Sequence, residues 1–472
     1  MCKIKKSPLS ECQVDIHEGL VPMNPISETI QEPIDEQREA APAPERDKSD
    51  GGVRPPESKS VVTLFDRWLV RTFFKRAGSP PVQITLWDGR PVLELPGEPQ
   101  FNVRIHDRST LLKLCRSPDF EFGEGYSQGR IAIEGDLVRF LEQCYQYFPE
   151  AGRLSRFAQR WRLRRAHTLS SSRSNIHHHY DLGNDFYRLW LDQQLLYTCA
   201  YYPTADLSLE AAQIAKMEHV CRKLRLQPGQ QVVEAGCGWG ALSLYMAREY
   251  DVRVTAYNIS HEQVKYARDR ARQEGLSDRV EFVEDDWRSI TGTYDAFVSV
   301  GMLEHVGTKN YRLLGDVIHR SLRPDGPALI HSIGKNVAEP LDTWIERRIF
   351  PGAEPPSLRQ MMDIFEGHRL SVLDVENLRL HYAQTLRHWL KRYKQHEETI
   401  RQLYDDSFVR AWRLYLAGSI AAFTSGSLQL FQVVFAHPGH NRLPRSRAFL
   451  YSSDPRSGRT SQPSGESAEE MF

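Results

Sequence analysis

The run Val232-Val233-Glu234-Ala235-Gly236-Cys237-Gly238-Trp239-Gly240 carries the sharpest chemical signal in the chain. An apolar stretch leads into three glycines at alternate positions, and Ala241–Glu249 then reads as a helix. Glycine tolerates φ > 0 and lets backbone come close to a ligand. A pyrophosphate-binding turn would need the spacing G-x-G-x-x-G, yet positions 241 and 242 are Ala and Leu. Glu234, two residues before the first glycine, could reach a cationic amine. Together these features favour S-adenosylmethionine over a nicotinamide dinucleotide, with a ligand-free strand–helix turn as the plain alternative. Asp286-Trp287 follows the third expected strand, at the edge of the sheet where open α/β folds bind ligands. Asp286 could accept from an adenine amino group and Trp287 could stack on the ring. An ordinary surface acid beside a half-buried indole fits those two residues equally well.

Other chemically capable side chains are ambiguous by type alone. Cys199 reads as a small buried hydrophobe, Glu304-His305 as the start of a helix, and His331 as a satisfied core histidine. His177, His178 and His179 invite a metal, but no second cluster of Cys, His or acid stands at ligand spacing nearby, so none is expected.

Three blocks must position these groups. Residues 61–150 begin with a helical stretch, Val61–Phe74, in which Leu64, Phe65, Trp68, Leu69 and Phe73 share a face. Short β-like runs follow at Gln83–Trp87 and Phe101–Ile105, which suits a small α+β domain. Residues 151–175 hold seven arginines, with Leu154, Phe157 and Trp161 at helical spacing, as in a basic linker helix. In residues 176–452, runs at Gln231–Ala235, Arg253–Tyr257, Val280–Val283, Asp295–Val300 and Ala328–Ile333 alternate with helical stretches such as Leu209–Leu224 and His261–Gln273. Such alternation predicts a parallel, doubly wound sheet.

Composition narrows the function classes. In 472 residues, Lys+Arg and Asp+Glu are both 61, which argues against a dedicated nucleic-acid binder. No apolar run approaches the roughly 20 residues a bilayer span needs, and no secretory signal follows the first six residues. Seven unpaired-looking cysteines read as reduced thiols of a cytoplasmic protein. Residues 1–60 lack any aromatic side chain and hold 8 of the 27 prolines, so they are expected to be disordered. The Ser/Gly/Arg/Glu-rich tail 453–472 reads the same way.

With these motifs in place, the chain resembles the cyclopropane-fatty-acyl-phospholipid synthases and their mycolic-acid-modifying relatives. The signatures run in family order over about 175–436. They are His178-His179-Tyr180-Asp181-Leu182-Gly183-Asn184-Asp185-Phe186-Tyr187, Tyr197-Thr198-Cys199-Ala200-Tyr201-Tyr202, Gly236-Cys237-Gly238-Trp239-Gly240 and Ser299–Gly307. His331-Ser332-Ile333-Gly334, Tyr382-Ala383-Gln384-Thr385-Leu386 and Gln429–Phe435 complete the set. Gly123–Tyr126 and Ile133–Leu137 resemble the family's smaller N-terminal domain less distinctly.

The resemblance implies a class I S-adenosylmethionine methyltransferase-like doubly wound α/β sheet with a smaller N-terminal α+β domain. The implied reaction transfers the cofactor's methyl to a cis double bond of an unsaturated phospholipid acyl chain and then removes a proton to close a cyclopropane. Bound bicarbonate accepts that proton, held by the positions of Cys199 (largely through backbone), Glu304, His331, Ile333 (through backbone) and Tyr382. Cofactor contacts fall on Tyr197, Thr198, Gly236, Gly238, Gln263, Asp286 and Trp287, to which the loop's own chemistry adds Glu234. Departures from the family pattern are small: Ala241 where many members carry glycine, Glu234 for Asp, and Thr198 for Ser. Asn258 stands where ordinary methyltransferases use an acid, a trait the family shares. The expected setting is the inner membrane face, reached peripherally from the cytoplasm, with a homodimer left open. Two alternatives stand: a methyltransferase giving methyl- or methylene-branched chains, and a non-catalytic lipid- and cofactor-binding protein.

Overall fold

The computed structural model describes residues 60–76, 78, 80–93, 99–147 and 182–451. The leader before Ser60, the arginine-rich segment 151–175, the histidines at 177–179 and the tail from Ser453 lie outside them.

Seven strands make the principal sheet: Gln231–Ala235 (β4), Arg253–Asn258 (β5), Val280–Glu284 (β6), Ala296–Val300 (β7), Pro327–Gly334 (β8), Ser371–Asn377 (β9) and Gln429–Ala436 (β10). Their order is β6-β5-β4-β7-β8-β10-β9. The first five are parallel, and β10 runs antiparallel to both β8 and β9. The parallel expectation therefore holds for five strands and fails at one edge. Helices cover both faces, which is why Val232, Val233 and Ala235, like Ala296–Val300, are buried whichever side they point to. Strand order reverses at β4 and β7, the switch point where the loops at the carboxyl ends part and leave a crevice.

Local chemistry sets the helices that frame that crevice. Ser208 caps Leu209–Leu224 by accepting from the Ala211 N–H at 3.2 Å. Ser260 does the same for His261–Gln273 through Gln263. Asp405 caps the twenty-residue helix Asp406–Ser425, which ends at Gly426 with φ +81°.

The N-terminal region carries a three-stranded sheet: Val82–Thr85 (β1), Phe101–Ile105 (β2) and Ile131–Glu134 (β3), with β1 parallel and β3 antiparallel to β2. Val70, Leu86, Val92, Ile105 and Leu111 form a small core of its own. A second group of its side chains, Phe101, Tyr126 and Phe140, joins an aromatic core with Phe186, Trp190, Trp389 and Trp412. Arg348 locks the junction with a two-pronged pair to Glu124 at 2.6 and 2.7 Å.

Candidate active site

The glycine turn opens at the carboxyl end of β4. Gly236 has φ +85°, and a Cβ there would lie 2.8 Å from the Met302 Cβ. Gly240 has φ +82°, and its Cβ would strike Phe282 at 2.7 Å and Ala267 at 2.8 Å. No L side chain suits either place. Asn258, the last residue of β5, donates its amide to the Gly238 carbonyl at 3.1 Å and to Gln263 Oε1 at 2.8 Å. The turn is thereby tied to the helix His261–Gln273. From the other side the Trp239 indole donates to Asn184 Oδ1 at 2.7 Å, so the described end of the His178–Tyr187 motif braces the same loop.

A cavity of about 140 Å³ results, and every residue expected to hold the cofactor lines it: Tyr197, Thr198, Glu234, Gly236, Gly238, Gln263, Asp286 and Trp287. Glu234 is buried and accepts from the Ser243 hydroxyl. Burial pushes its carboxyl up to about 7, against the pull of Ser243 and Lys216. Asp286 Oδ1 accepts from the Arg288 N–H and guanidinium, both at 2.9 Å, and that guanidinium lies 4.4 Å over the Trp287 ring. The indole thus has a cation on one face. Tyr197 shares a 2.8 Å hydrogen bond with the Tyr415 hydroxyl, and burial raises its phenol well above the usual range.

The residues expected around the proton acceptor come from four elements. Glu304 sits in the short helix Leu303–Val306 after β7, and its Oε1 accepts from the Ile333 N–H at 2.6 Å. Its Oε2 is buried and has no hydrogen-bond partner among the described residues. Desolvation raises this carboxyl to about 7, although N–H groups and the Ser332 hydroxyl pull it down. The Ile333 N–H is thus committed to Glu304 and anchors it. His331 lies two residues earlier on β8, on the same face as Ile333. The Gln432 amide approaches its Nδ1 at 2.9 Å. Burial, with Lys216 and Lys223 nearby, drops His331 to about 3, so the ring is neutral. With Gln432 donating to Nδ1, the ring proton sits on Nε2.

Cys199 is a buried thiol, raised by desolvation and touching the Ala200 carbonyl at 3.1 Å. Its segment is pinned to the helix Arg379–Gln395: the Ala200 N–H donates to Thr385 Oγ1 and the Tyr202 N–H to His381 Nδ1, both at 3.0 Å. Tyr382, in the first turn of that helix, packs its ring 4.7 Å from Phe423 and 5.9 Å from Trp389. It also lies within electrostatic reach of Tyr197.

Sequence reasoning missed Lys216, which lines the cavity, and Gln432, which orients His331. Lys216 had a legible signal. It falls on the buried stripe Leu209, Ala212, Lys216, Val220 and Leu224, where a lysine is out of place. Gln432 had only its position within an apolar run. Among the described residues no group of His, Cys, Asp and Glu could hold a metal, and no helix is long and apolar enough to cross a membrane.

A seven-stranded sheet in this order, with a glycine turn and cavity at the carboxyl ends of its strands, defines a class I S-adenosylmethionine methyltransferase-like fold. The chain belongs to the mycolic acid cyclopropane synthetase family, whose model matches residues 167–433. Residues 69–149 match a second family described only as a domain of unknown function. A probable fatty acid methyltransferase of Pseudomonas putida is 36% identical over 382 residues, covering 79% of this chain and 96% of that protein. The cyclopropane-fatty-acyl-phospholipid synthase of Escherichia coli K12 is 42% identical over 270 residues, 57% of this chain and 69% of that one. Among solved structures, mycolic acid cyclopropane synthase CmaA1 complexed with SAH and CTAB aligns with TM-score 0.53 and 29% identity, over 56% of this chain and 97% of that one.

Proposed function

We propose that this chain transfers the methyl group of S-adenosylmethionine to a cis double bond of an unsaturated phospholipid acyl chain and closes a cyclopropane ring. In the first step the alkene π pair takes the sulfonium methyl and the S–CH₃ pair stays on sulfur. A cation remains on the neighbouring chain carbon. An alkene is a weak nucleophile, so the transfer needs the two partners aligned in a dry slot. Tyr197 and Tyr382, part of an aromatic wall, supply ring faces that favour the cation. In the second step a proton leaves the new methyl and its C–H pair closes the ring.

The observation that carries the ring-closing reading is Glu304: buried, one oxygen fixed by the Ile333 N–H, the other unpartnered, and able to hold a proton near neutral pH. Bicarbonate suits such a carboxyl; Glu304, His331, Tyr382 and the Cys199 backbone would hold it, and it would supply the base for the departing proton. A carboxyl that can protonate sits beside such an anion without two like charges meeting in low dielectric. Neutral His331 with its proton on Nε2 is a ready donor.

A branched product is the second reading, favoured by the similarity to the Pseudomonas putida fatty acid methyltransferase over almost its whole length. The deciding experiment incubates the purified protein with unsaturated phospholipid liposomes and methyl-labelled cofactor, then takes proton NMR of the lipid. Upfield ring-methylene protons are expected. Label carried in a chain methyl or an exocyclic methylene instead of a ring methylene would move the protein to the branched reading, and absence of lipid-phase label would remove the enzymatic one.

A further inference from the structure

Lys216 projects from the buried face of the helix Leu209–Leu224 into the cofactor cavity and is 1% exposed. Its ammonium makes one hydrogen bond, to Thr198 Oγ1 at 2.9 Å. An ammonium has three donors, so two are unused, and among the described residues no carboxylate lies within ion-pair distance. The other buried lysines among the described residues are provided for. Lys223 pairs with Glu376 at 2.5 Å, and Lys335 donates to the carbonyls of Glu339 and Pro340 at 3.1 and 2.7 Å.

The groups facing Lys216 are Asp192, Cys199, Glu234 and His331. Both carboxylates are already engaged. Asp192 accepts from the N–H groups of Gln194 and Leu196, each at 2.9 Å, and Glu234 accepts from Ser243. One turn before Lys216, Gln213 donates to the carbonyls of Leu196 and Thr198, so the helix also holds the cavity wall in place. Burial drives the lysine down to about 8, more than the nearby Asp192 and Glu234 offset. A buried charge persists when something pairs with it, and here the open side faces the ligand cavity.

We infer that Lys216 binds the α-carboxylate of S-adenosylmethionine, opposite Glu234, whose acid meets the α-amine. This rests on the cofactor reading above. Of the cofactor's charged groups the sulfonium and the amine are cationic, and only the carboxylate suits an ammonium. The pair Lys216 and Glu234 then reads the two ends of the amino-acid moiety by charge.

Calorimetric titration of the full chain tests the assignment with three probes: S-adenosylmethionine, S-adenosylhomocysteine and decarboxylated S-adenosylmethionine, which keeps the sulfonium and the amine. Wild type should bind the first two about tenfold or more tightly than the third. Lys216→Met should lose that preference, with its affinity for the decarboxylated probe unchanged. Lys216→Gln serves as the second variant if the first unfolds. A variant that keeps the preference, or weakens all three probes equally, overturns the assignment while leaving the cofactor reading intact. A variant with unchanged cofactor affinity but a raised bicarbonate requirement also overturns it, by giving the lysine to the other anion. Wild type that binds none of the probes sinks the cofactor reading itself.

Discussion

Glu304 is a carboxyl whose two oxygens live in different circumstances, one clamped by the Ile333 N–H and one buried with no hydrogen-bond partner among the described residues. Replacing it with Gln keeps the volume and an oxygen for Ile333, but removes the group that can gain or lose a proton. Turnover of Glu304→Gln should fall about a hundredfold or more, with cofactor affinity within about twofold of wild type because Glu304 does not line the cofactor cavity. Stopped-time lipid labelling and calorimetry together check this, and near-normal turnover in bicarbonate-depleted buffer would refute the acceptor reading. Tyr382→Phe should behave alike if its hydroxyl serves that site. At this scale the residue types were legible as motifs in order, whereas their contacts were not. Nothing local says that the Ile333 N–H is spent on Glu304, or that Gln432 reaches His331 across 101 residues of chain. Lys216 was readable as an intruder on an apolar stripe, but only the folded cavity shows what the intrusion is for.

Elements set the precision of those contacts. The turn after β4 depends on glycines whose φ is positive and whose missing Cβ makes room for neighbouring side chains. Gly240→Ala should destabilise the protein by about 1–3 kcal/mol, from a strained φ plus overpacking against Phe282 and Ala267. Weaker cofactor binding should accompany it, since the same turn walls the cavity; unchanged thermal midpoint and affinity would disprove the argument. A second element invites a test of lipid contact. The helix Leu64–Arg76 exposes Leu64, Phe65 and Trp68, with the last two rings stacked at 5.8 Å and Arg71 and Lys75 also exposed. Such a face suits a lipid interface. Phe65→Ser with Trp68→Ser should reduce flotation with anionic liposomes severalfold, and unaltered flotation would exclude this helix. The parallel core strands were legible because burial on both faces makes them continuous apolar runs. β9 was not, because Ser371-Val-Leu-Asp-Val-Glu-Asn377 is half-exposed at the sheet edge. β10 was read only as a motif, and its antiparallel insertion between β8 and β9 is a long-range pairing that no local pattern encodes.

The whole molecule carries buried ionisable groups whose opposing shifts shape its stability against pH. In register across the edge of the sheet stand His331, Gln432 and Glu376. Glu376 is held by His219 at 2.8 Å and Lys223 at 2.5 Å; although burial works against it, these partners bring its carboxyl down to about 2. A carboxyl with a depressed folded value binds fewer protons folded than unfolded, so stability rises with pH across the interval between the two values. The advantage of Glu376 is therefore complete above about pH 4.5 and disappears as pH falls toward 2. Glu304 has the opposite sign. Raised by desolvation to about 7, it binds more protons folded than unfolded between about 4.5 and 7, and stability falls as pH rises through that window. The variants should separate these signs, each shift amounting to about 3–4 kcal/mol at one pKa unit per 1.4 kcal/mol. Glu376→Gln should be strongly destabilised at pH 7 and nearly equal to wild type close to pH 2. Glu304→Gln should match wild type near pH 4.5 and gain relative stability up to pH 7, then run parallel to it. Urea unfolding followed by tryptophan fluorescence at half-unit pH steps measures both differences. If Glu304→Gln keeps a constant difference from wild type between pH 4.5 and 7, its carboxyl is not the neutral, desolvated acid that the proton-acceptor reading requires.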